Sequence, residues 1–304
     1  MKKLTAVAAL LLLAALTRTL EDRIERVASE VDSTLGVAAL HIESGRRFAL
    51  RADERFPMGS VYKLPIAIAF MRQVDAGRYA LSSQVTINPA DFGPGHSPLR
   101  DAAQGRPFTI TLGEALEAML GKSDNTAADV LLRLAGGADG VTRVVRDLGV
   151  TGVDVNRSER EIANDLNAPG GRDAYVNDAR DTATPAGMLA LLEKFYARQA
   201  GLSRDSHDRL VQIMSSSATG EHRIKAGLPE GSVVANKTGT MPGTVNDVGI
   251  ITSPNGRDHV LIVIFSKGGK TSTLTQRERA VALVTRAVYR DFVGWTPWRR
   301  TKRQ

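Results

Sequence analysis

The stretch MGSVYKLP at residues 58–65 sets Ser60 and Lys63 three positions apart at the start of an apolar run. Residues at that spacing share a helix face, so a lysine amine is expected beside a serine hydroxyl. Alone, the pair says little: at average residue usage Ser-x-x-Lys arises by chance on the order of once in a chain of this length. Its meaning depends on what else the chain holds.

Downstream lie Ser123-Asp124-Asn125 and Lys237-Thr238-Gly239-Thr240. Each tripeptide would occur by chance in roughly one chain in fifteen, but all three motifs in this order form a specific signal. Serine needs a neighbour to take its proton, and lysine can serve where burial or nearby cations depress its pKa. If Ser60 opens a helix, backbone N–H groups and the positive dipole end point at the reacting carbonyl. Losing one such donor typically costs about 10²–10³ in rate.

S-x-x-K, S-D-N and K-T-G are the signature of class A β-lactamases and penicillin-binding proteins. The sequence resembles the class A enzymes over nearly its whole mature length. The resemblance implies an α/β fold of the β-lactamase/transpeptidase type and a secreted serine hydrolase that opens β-lactam antibiotics and confers resistance. Ser60 would be the nucleophile, with Lys63, Ser123 and Lys237 moving protons. The backbone N–H groups of Ser60 and Thr240 would stabilise the oxyanion. Ser123 would protonate the leaving nitrogen, and Asn125 would orient the substrate amide. Whether Lys63 or a glutamate deprotonates Ser60 stays open at this point.

Release of the acyl-serine needs a carboxylate that activates water. The segment Asn156-Arg157-Ser158-Glu159-Arg160-Glu161-Ile162 resembles the family's omega loop, with Glu159 at the general-base position and Glu161 as the fallback. Arg157 would pair with Asp181 to pin the neck of a loop over 157–181. The sequence departs from the pattern here. Ala163 stands where an Asn usually helps hold the hydrolytic water, Asn164 lies one place on, and extra residues include Ala168-Pro169-Gly170-Gly171. A displaced glutamate would slow deacylation without preventing acylation. Arg223 matches an arginine that some class A enzymes use to clamp the substrate carboxylate beside Lys237, Thr238, Gly239 and Thr240. His96 falls where the family often has an aromatic gatekeeper.

Apolar spacing predicts a helix over 20–31 (Leu20, Ile24, Val27, Val31), a hairpin of 35–43 with 47–51, strands at 245–252 and 259–265, and a helix over 277–292. Residues from Tyr62 to about Met214 read as helical, with long loops at 88–108 and 154–184. One antiparallel sheet built from both ends (20–59 and 216–296) and flanked by helices, with an all-helical domain inserted at 60–215, is therefore expected. A cleft would lie at the seam.

The 304 residues, 42% hydrophobic and 24% charged, suit a globular chain with a substantial core. The net charge of +7 is scattered except in the tail 297–304, and aromatics are only 5%, which argues against a nucleic-acid reader. Residues 1–19 follow the plan of a signal peptide: Lys2-Lys3, then an apolar run to Leu16 that is short of the roughly twenty residues a membrane span needs. A periplasmic or extracellular monomer without a stable membrane anchor is expected, although a retained anchor stays open. Cysteine is absent. The five histidines lack metal-ligand spacing, which argues against a metal hydrolase. Gly269-Lys270-Thr271 fails as a phosphate loop because Ile264 stands where its first glycine belongs. No cofactor or metal is implied. Two alternatives remain open: a DD-peptidase, or a β-lactam sensor that acylates and stays acylated.

Overall fold

The computed structural model describes residues 19–269 and 271–294. Residues 1–18 of the expected signal peptide and the basic tail 297–304 lie outside the described residues.

Helix α1 (Leu20–Glu30) opens with a Thr19–Asp22 capping box and buries Leu20, Ile24 and Ala28. Strands β1 (Ser33–His41), β2 (Arg47–Leu50) and β3 (Phe56–Pro57) follow, and a 3-10 turn at Gly59–Tyr62 leads into helix α2 (Lys63–Asp75). Next come β4 (Gln84–Ile87), α3 (Pro98–Ala103), β5 (Phe108–Thr111), α4 (Leu112–Gly121), α5 (Asn125–Leu134) and α6 (Gly137–Asp147). The chain continues through α7 (Glu159–Asn167), α8 (Gly171–Ala174), β6 (Thr182–Ala183), α9 (Pro185–Tyr196) and α10 (Arg204–Ser215). It ends with β7 (Val233–Met241), β8 (Thr244–Thr252), β9 (His259–Gly268) and α11 (Leu274–Val293).

The five-stranded sheet runs β2-β1-β9-β8-β7 and is antiparallel throughout. Alternation along β9 divides the core. Val260, Ile262 and Ile264 join the cluster that contains α1 and α11, while Leu261, Val263 and Phe265 join the cluster of the helical block. Because both faces are covered, the strand reads as a continuous apolar run. Helix α2 packs against α4, α5, α6 and α10 and is buried from Lys63 to Met71, as expected for a helix at the centre of a block. The apolar cluster around α2 continues into Ala38, Leu40, Val248 and Ile250 of the sheet, so the seam is packed.

The inserted block is not all helical, which corrects the expectation. The ribbon β4–β5 pairs Val85 with Ile110 and Ile87 with Phe108, and β3 pairs with β6. Strands of two to four residues carry too few alternations to stand out from helical periodicity. The two expected loops likewise contain helices. In 154–184, Ser158 and Glu161 cap each other's backbone and start α7. That S-x-x-E box was visible in the sequence and could have signalled this helix.

Candidate active site

Ser60 lies in the 3-10 turn, one residue-turn before α2, and Lys63 is the first residue of the helix proper, fully buried. Lys63 Nζ donates to Ser60 Oγ at 3.1 Å, to Ser123 O at 2.8 Å and to Asn125 Oδ1 at 2.6 Å. It also lies 3.0 Å from Glu159 Oε1. These acceptors outnumber the three N–H groups of an ammonium, so the amine is held as a donor at the centre of the site. Ser123 adopts φ +61°, in the left-handed region that non-glycine residues seldom occupy. The same residue gives its carbonyl to Lys63 and its hydroxyl to Lys237. The Asp of Ser123-Asp124-Asn125 is structural: Asp124 caps α5 at Ala127 N and holds Ser97 Oγ and Leu99 N. Asn125 is held at both ends, with Nδ2 donating to Pro94 O at 2.7 Å.

The edge strand β7 lies against the nucleophile turn. A Cβ at Gly239 would sit 2.3 Å from Met58 O and 3.2 Å from Ser60 N, so only glycine permits this approach. The approach brings the neighbouring Thr240 alongside Ser60. From β8, Asn246 Nδ2 donates to Pro57 O and Met58 O, tying the sheet to the turn. Lys237 is fully buried and donates to Ser123 Oγ and Thr238 O, both at 2.9 Å. Burial first, and the charge of Lys63 second, hold its amine well below the usual lysine range. Asp247 of β8, fully buried and paired with Thr238 of β7, is pushed up to about 6 by burial, against the hydrogen bond from Asn236. Thr238 Oγ1 lies 2.8 Å from Thr219 Oγ1.

Arg223 does not reach into the cleft as an open clamp. It is 5% exposed, its Nε donates to Glu278, and its Nη1 donates to Gly239 O and Asn246 O. Only Nη2 points toward the site, donating to Thr240 Oγ1 at 2.6 Å. Burial explains this arrangement, because a guanidinium buried behind a strand must spend its donors on the backbone around it.

Opposite, Glu159 is the first residue of α7 and is 6% exposed. Asp129 on α5 anchors it: Glu159 N donates to Asp129 Oδ1 at 2.7 Å and Arg160 N to Oδ2 at 3.2 Å. Burial pushes the Asp129 carboxyl up to about 6, while these N–H groups oppose the shift. Glu161, the fallback base, is exposed and engaged in capping Ser158, so it is set aside. Ala163, one helical turn from Glu159, lines the cleft, whereas Asn164 is rotated out to solvent.

The neck of this segment is pinned more heavily than one ion pair would do. Arg157 Nε contacts Asp181 Oδ2 at 2.6 Å, and Nη1 contacts Asp165 at 2.5 Å and Asp178 at 2.9 Å. Burial works against the guanidinium's charge, but the Asp181 and Asp165 bonds overcome it and raise its pKa. Asp181 sits at φ +51°, accepts from Asn156 N and Arg157 N, and gives its carbonyl to Met58 N.

Between these walls lies a cavity of about 370 Å³ whose lining includes Ser60, Asn125, Glu159, Thr240 and Met241. His96 is exposed at its mouth, with Nε2 3.0 Å from Lys122 O. Arg172 of α8 contributes a cation to the lining that the sequence motifs did not indicate. Asp129, Asn246 and Asp247 were also missed. The last two had a signal, being a polar pair inside an otherwise apolar strand. Asp129 had none.

A profile described as the beta-lactamase enzyme family matches residues 19–292. Beta-lactamase VEB-1 of Pseudomonas aeruginosa is 31% identical over 269 residues, which is 86% of this chain and 87% of that one. A beta-lactamase from Chitinophaga pinensis has 31% identity and a TM-score of 0.81, covering 90% of this chain and 99% of its own. The class A beta-lactamase described as the last common ancestor of Gram-negative bacteria has 34% identity and a TM-score of 0.80, covering 90% of this chain and 100% of its own. With the family profile spanning nearly all of the described residues and class A structures superposing over nine-tenths of the chain, this protein belongs to the beta-lactamase family, as a class A member.

Proposed function

We propose that the protein hydrolyses the amide bond of β-lactam antibiotics through an ester on Ser60, and so confers resistance to them. The observation that carries this reading is the contact line from Ser60 Oγ to Lys63 Nζ (3.1 Å) and on to Glu159 Oε1 (3.0 Å), bordering the cavity. It joins the nucleophile to the carboxylate needed to remove the acyl group.

In acylation, Ser60 Oγ bonds to the lactam carbonyl carbon while its proton leaves toward the Lys63–Glu159 pair. Lys63 already faces more acceptors than it has N–H groups, so Glu159 takes this proton. The oxyanion develops beside the N–H groups of Ser60 and Thr240, which the close approach of Gly239 brings together. The C–N bond breaks, Ser123 passes its proton to the leaving nitrogen, and the proton on Glu159 returns through Lys63 to Ser123, whose Oγ lies 3.5 Å from Lys63 Nζ, so Glu159 is again a carboxylate. Lys237 is hydrogen-bonded to Ser123 and carries a depressed pKa, so it exchanges protons with that hydroxyl. Asn125 orients the substrate amide, and Thr238 and Thr240 receive the substrate carboxylate, the latter polarised by Arg223. In deacylation, Glu159 takes a proton from water, the hydroxide adds to the ester carbonyl, and Ser60 leaves with its proton restored.

Ala163 facing the cleft favours a second reading, in which deacylation is slow and the protein accumulates as an acyl-serine. One experiment separates the two: the mature chain is mixed with a chromogenic cephalosporin while product and intact mass are followed. Steady product with a transient adduct supports hydrolysis. One equivalent of product with a persistent adduct on Ser60 supports the slow trap, and no adduct refutes both. Release of D-Ala from a D-Ala-D-Ala peptide would indicate the peptidase alternative.

We also infer export to the periplasm or cell exterior after removal of residues 1–19. The Lys2-Lys3 and apolar pattern supports this, and no helix among the described residues is long and apolar enough to cross a membrane. N-terminal sequencing of the protein from cell fractions tests it.

A further inference from the structure

The turn after β1 and the turn between β8 and β9 meet at the opposite end of the sheet from Thr240. The separation is about 23 Å along β8, which pairs Thr240 with Val245 at one end and His259 with Thr252 at the other. Three side chains converge there. His41 is 6% exposed, and its Nε2 makes no hydrogen bond. That nitrogen faces Glu43 Oε2 at 3.3 Å and Asp258 Oδ1 at 3.4 Å. The three atoms all lie within 4.8 Å of one another.

We propose that His41, Glu43 and Asp258 bind a zinc-like divalent metal ion that clips the β1–β2 turn to the β8–β9 turn. Tetrahedral coordination with bonds of about 2.0–2.1 Å places neighbouring ligand atoms about 3.3–3.4 Å apart, the separation that His41 Nε2 keeps from both carboxylates. The charges agree as well. With its proton on Nδ1, toward Ser44, the imidazole turns its Nε2 lone pair on two carboxylate oxygens, and a cation between them removes the repulsion.

Each ligand is oriented from behind, as metal ligands require. His41 Nδ1 lies 2.7 Å from Ser44 Oγ. Glu43 accepts from His259 N at Oε2 (2.9 Å) and has His259 Nδ1 2.7 Å from Oε1. Ser253 Oγ donates to Asp258 Oδ2 at 3.3 Å. One nitrogen with two carboxylate oxygens suits zinc and its transition-metal neighbours better than the all-oxygen preference of calcium or magnesium. The Glu43 and Asp258 side chains are 36% and 26% exposed, so water completes the coordination from the solvent side. The ligands lie 217 positions apart, at His41 and Asp258, on two hairpins. No linear spacing could have revealed them. The site is separate from the serine chemistry and supplies nothing to it.

The test is zinc binding to the full mature chain after treatment with a chelator, measured by isothermal titration and by the thermal midpoint with and without ZnCl2. One equivalent should bind and raise the midpoint. Asp258→Asn and Glu43→Gln, both at partly exposed positions, should each weaken binding at least about tenfold. Magnesium should not compete, and β-lactam turnover should be the same with and without zinc. Absence of binding, or binding that Asp258→Asn leaves unchanged, would overturn the proposal and leave His41, Glu43 and Asp258 as a polar cluster joining the two turns.

Discussion

The two walls of the cleft are fixed by different means. On the acylation side, Lys63 and Lys237 are fully buried, and Ser60, Lys63 and Thr240 stand on a central helix, its entry turn and a sheet edge. Moving any of them requires moving the core. On the deacylation side, Glu159 opens a nine-residue helix held mainly by polar contacts: Asp129 at its backbone and Arg157 among three carboxylates. Polar anchoring of this kind yields to a single charge change, whereas packed apolar anchoring does not. The capacity to form the acyl-serine is thus robust, and the capacity to release it is vulnerable.

The sharpest way to test this contrast is Glu159→Gln. Turnover should fall by about 10²–10⁴, the usual contribution of a general base, while the fold remains and the Ser60 adduct accumulates in the mass spectrum. Unchanged turnover would remove Glu159 as the base. Arg157→Ala comes next, because it strands Asp181 as a buried unpaired carboxylate. Urea unfolding should show a loss of about 3–5 kcal/mol, and the acyl-enzyme should persist longer. If deacylation were unaffected, the polar anchors would not set the position of Glu159.

A smaller effect is expected from pH. The Asp129 carboxyl is raised from 3.8 to about 6 in the folded protein, so the folded state binds its proton more tightly than the unfolded chain does. Stability contributed by this group is therefore full below about pH 4 and lost as pH rises through about 6. Asp129→Asn removes the titration, so the stability of wild type relative to the variant should decline by about 2 kcal/mol between pH 4 and pH 7. A constant difference in urea midpoints across that range would contradict the assignment. The smallest effect is that of Ala163→Asn, which returns an amide to the wall beside Glu159. One added hydrogen bond to the hydrolytic water, worth about 0.5–1.5 kcal/mol, should raise the deacylation rate about two- to tenfold in single-turnover measurements.

Legibility in the sequence divided along the same line. Ser60, Lys63, Ser123 and Lys237 were readable because their motifs are short and rigidly spaced on regular elements, and β9 and α11 because their periodicities are long. The helix beginning at Glu159 was read as loop although its capping box was present. The short pairings β3–β6 and β4–β5 leave no trace in the sequence because so few residues carry their alternation; β6 falls in the expected loop 154–184 and β4 in the expected helical block. The resemblance points to Arg223 as a clamp beside the Lys-Thr-Gly strand, but its burial and its donation to Thr240 have no linear signature.

By itself, the sequence determined the three motifs, the candidate nucleophile and base that go with them, and the sheet built from both ends of the chain, since covalent spacing and hydrophobic period are local properties. Only the tertiary structure decided which carboxylate faces Lys63, that Asp129 holds the helix of Glu159, that Arg223 donates to Thr240, and that His41 meets Asp258. Those relations join residues far apart in the chain, and they exist only once the apolar core has fixed the distance and burial that set their electrostatics.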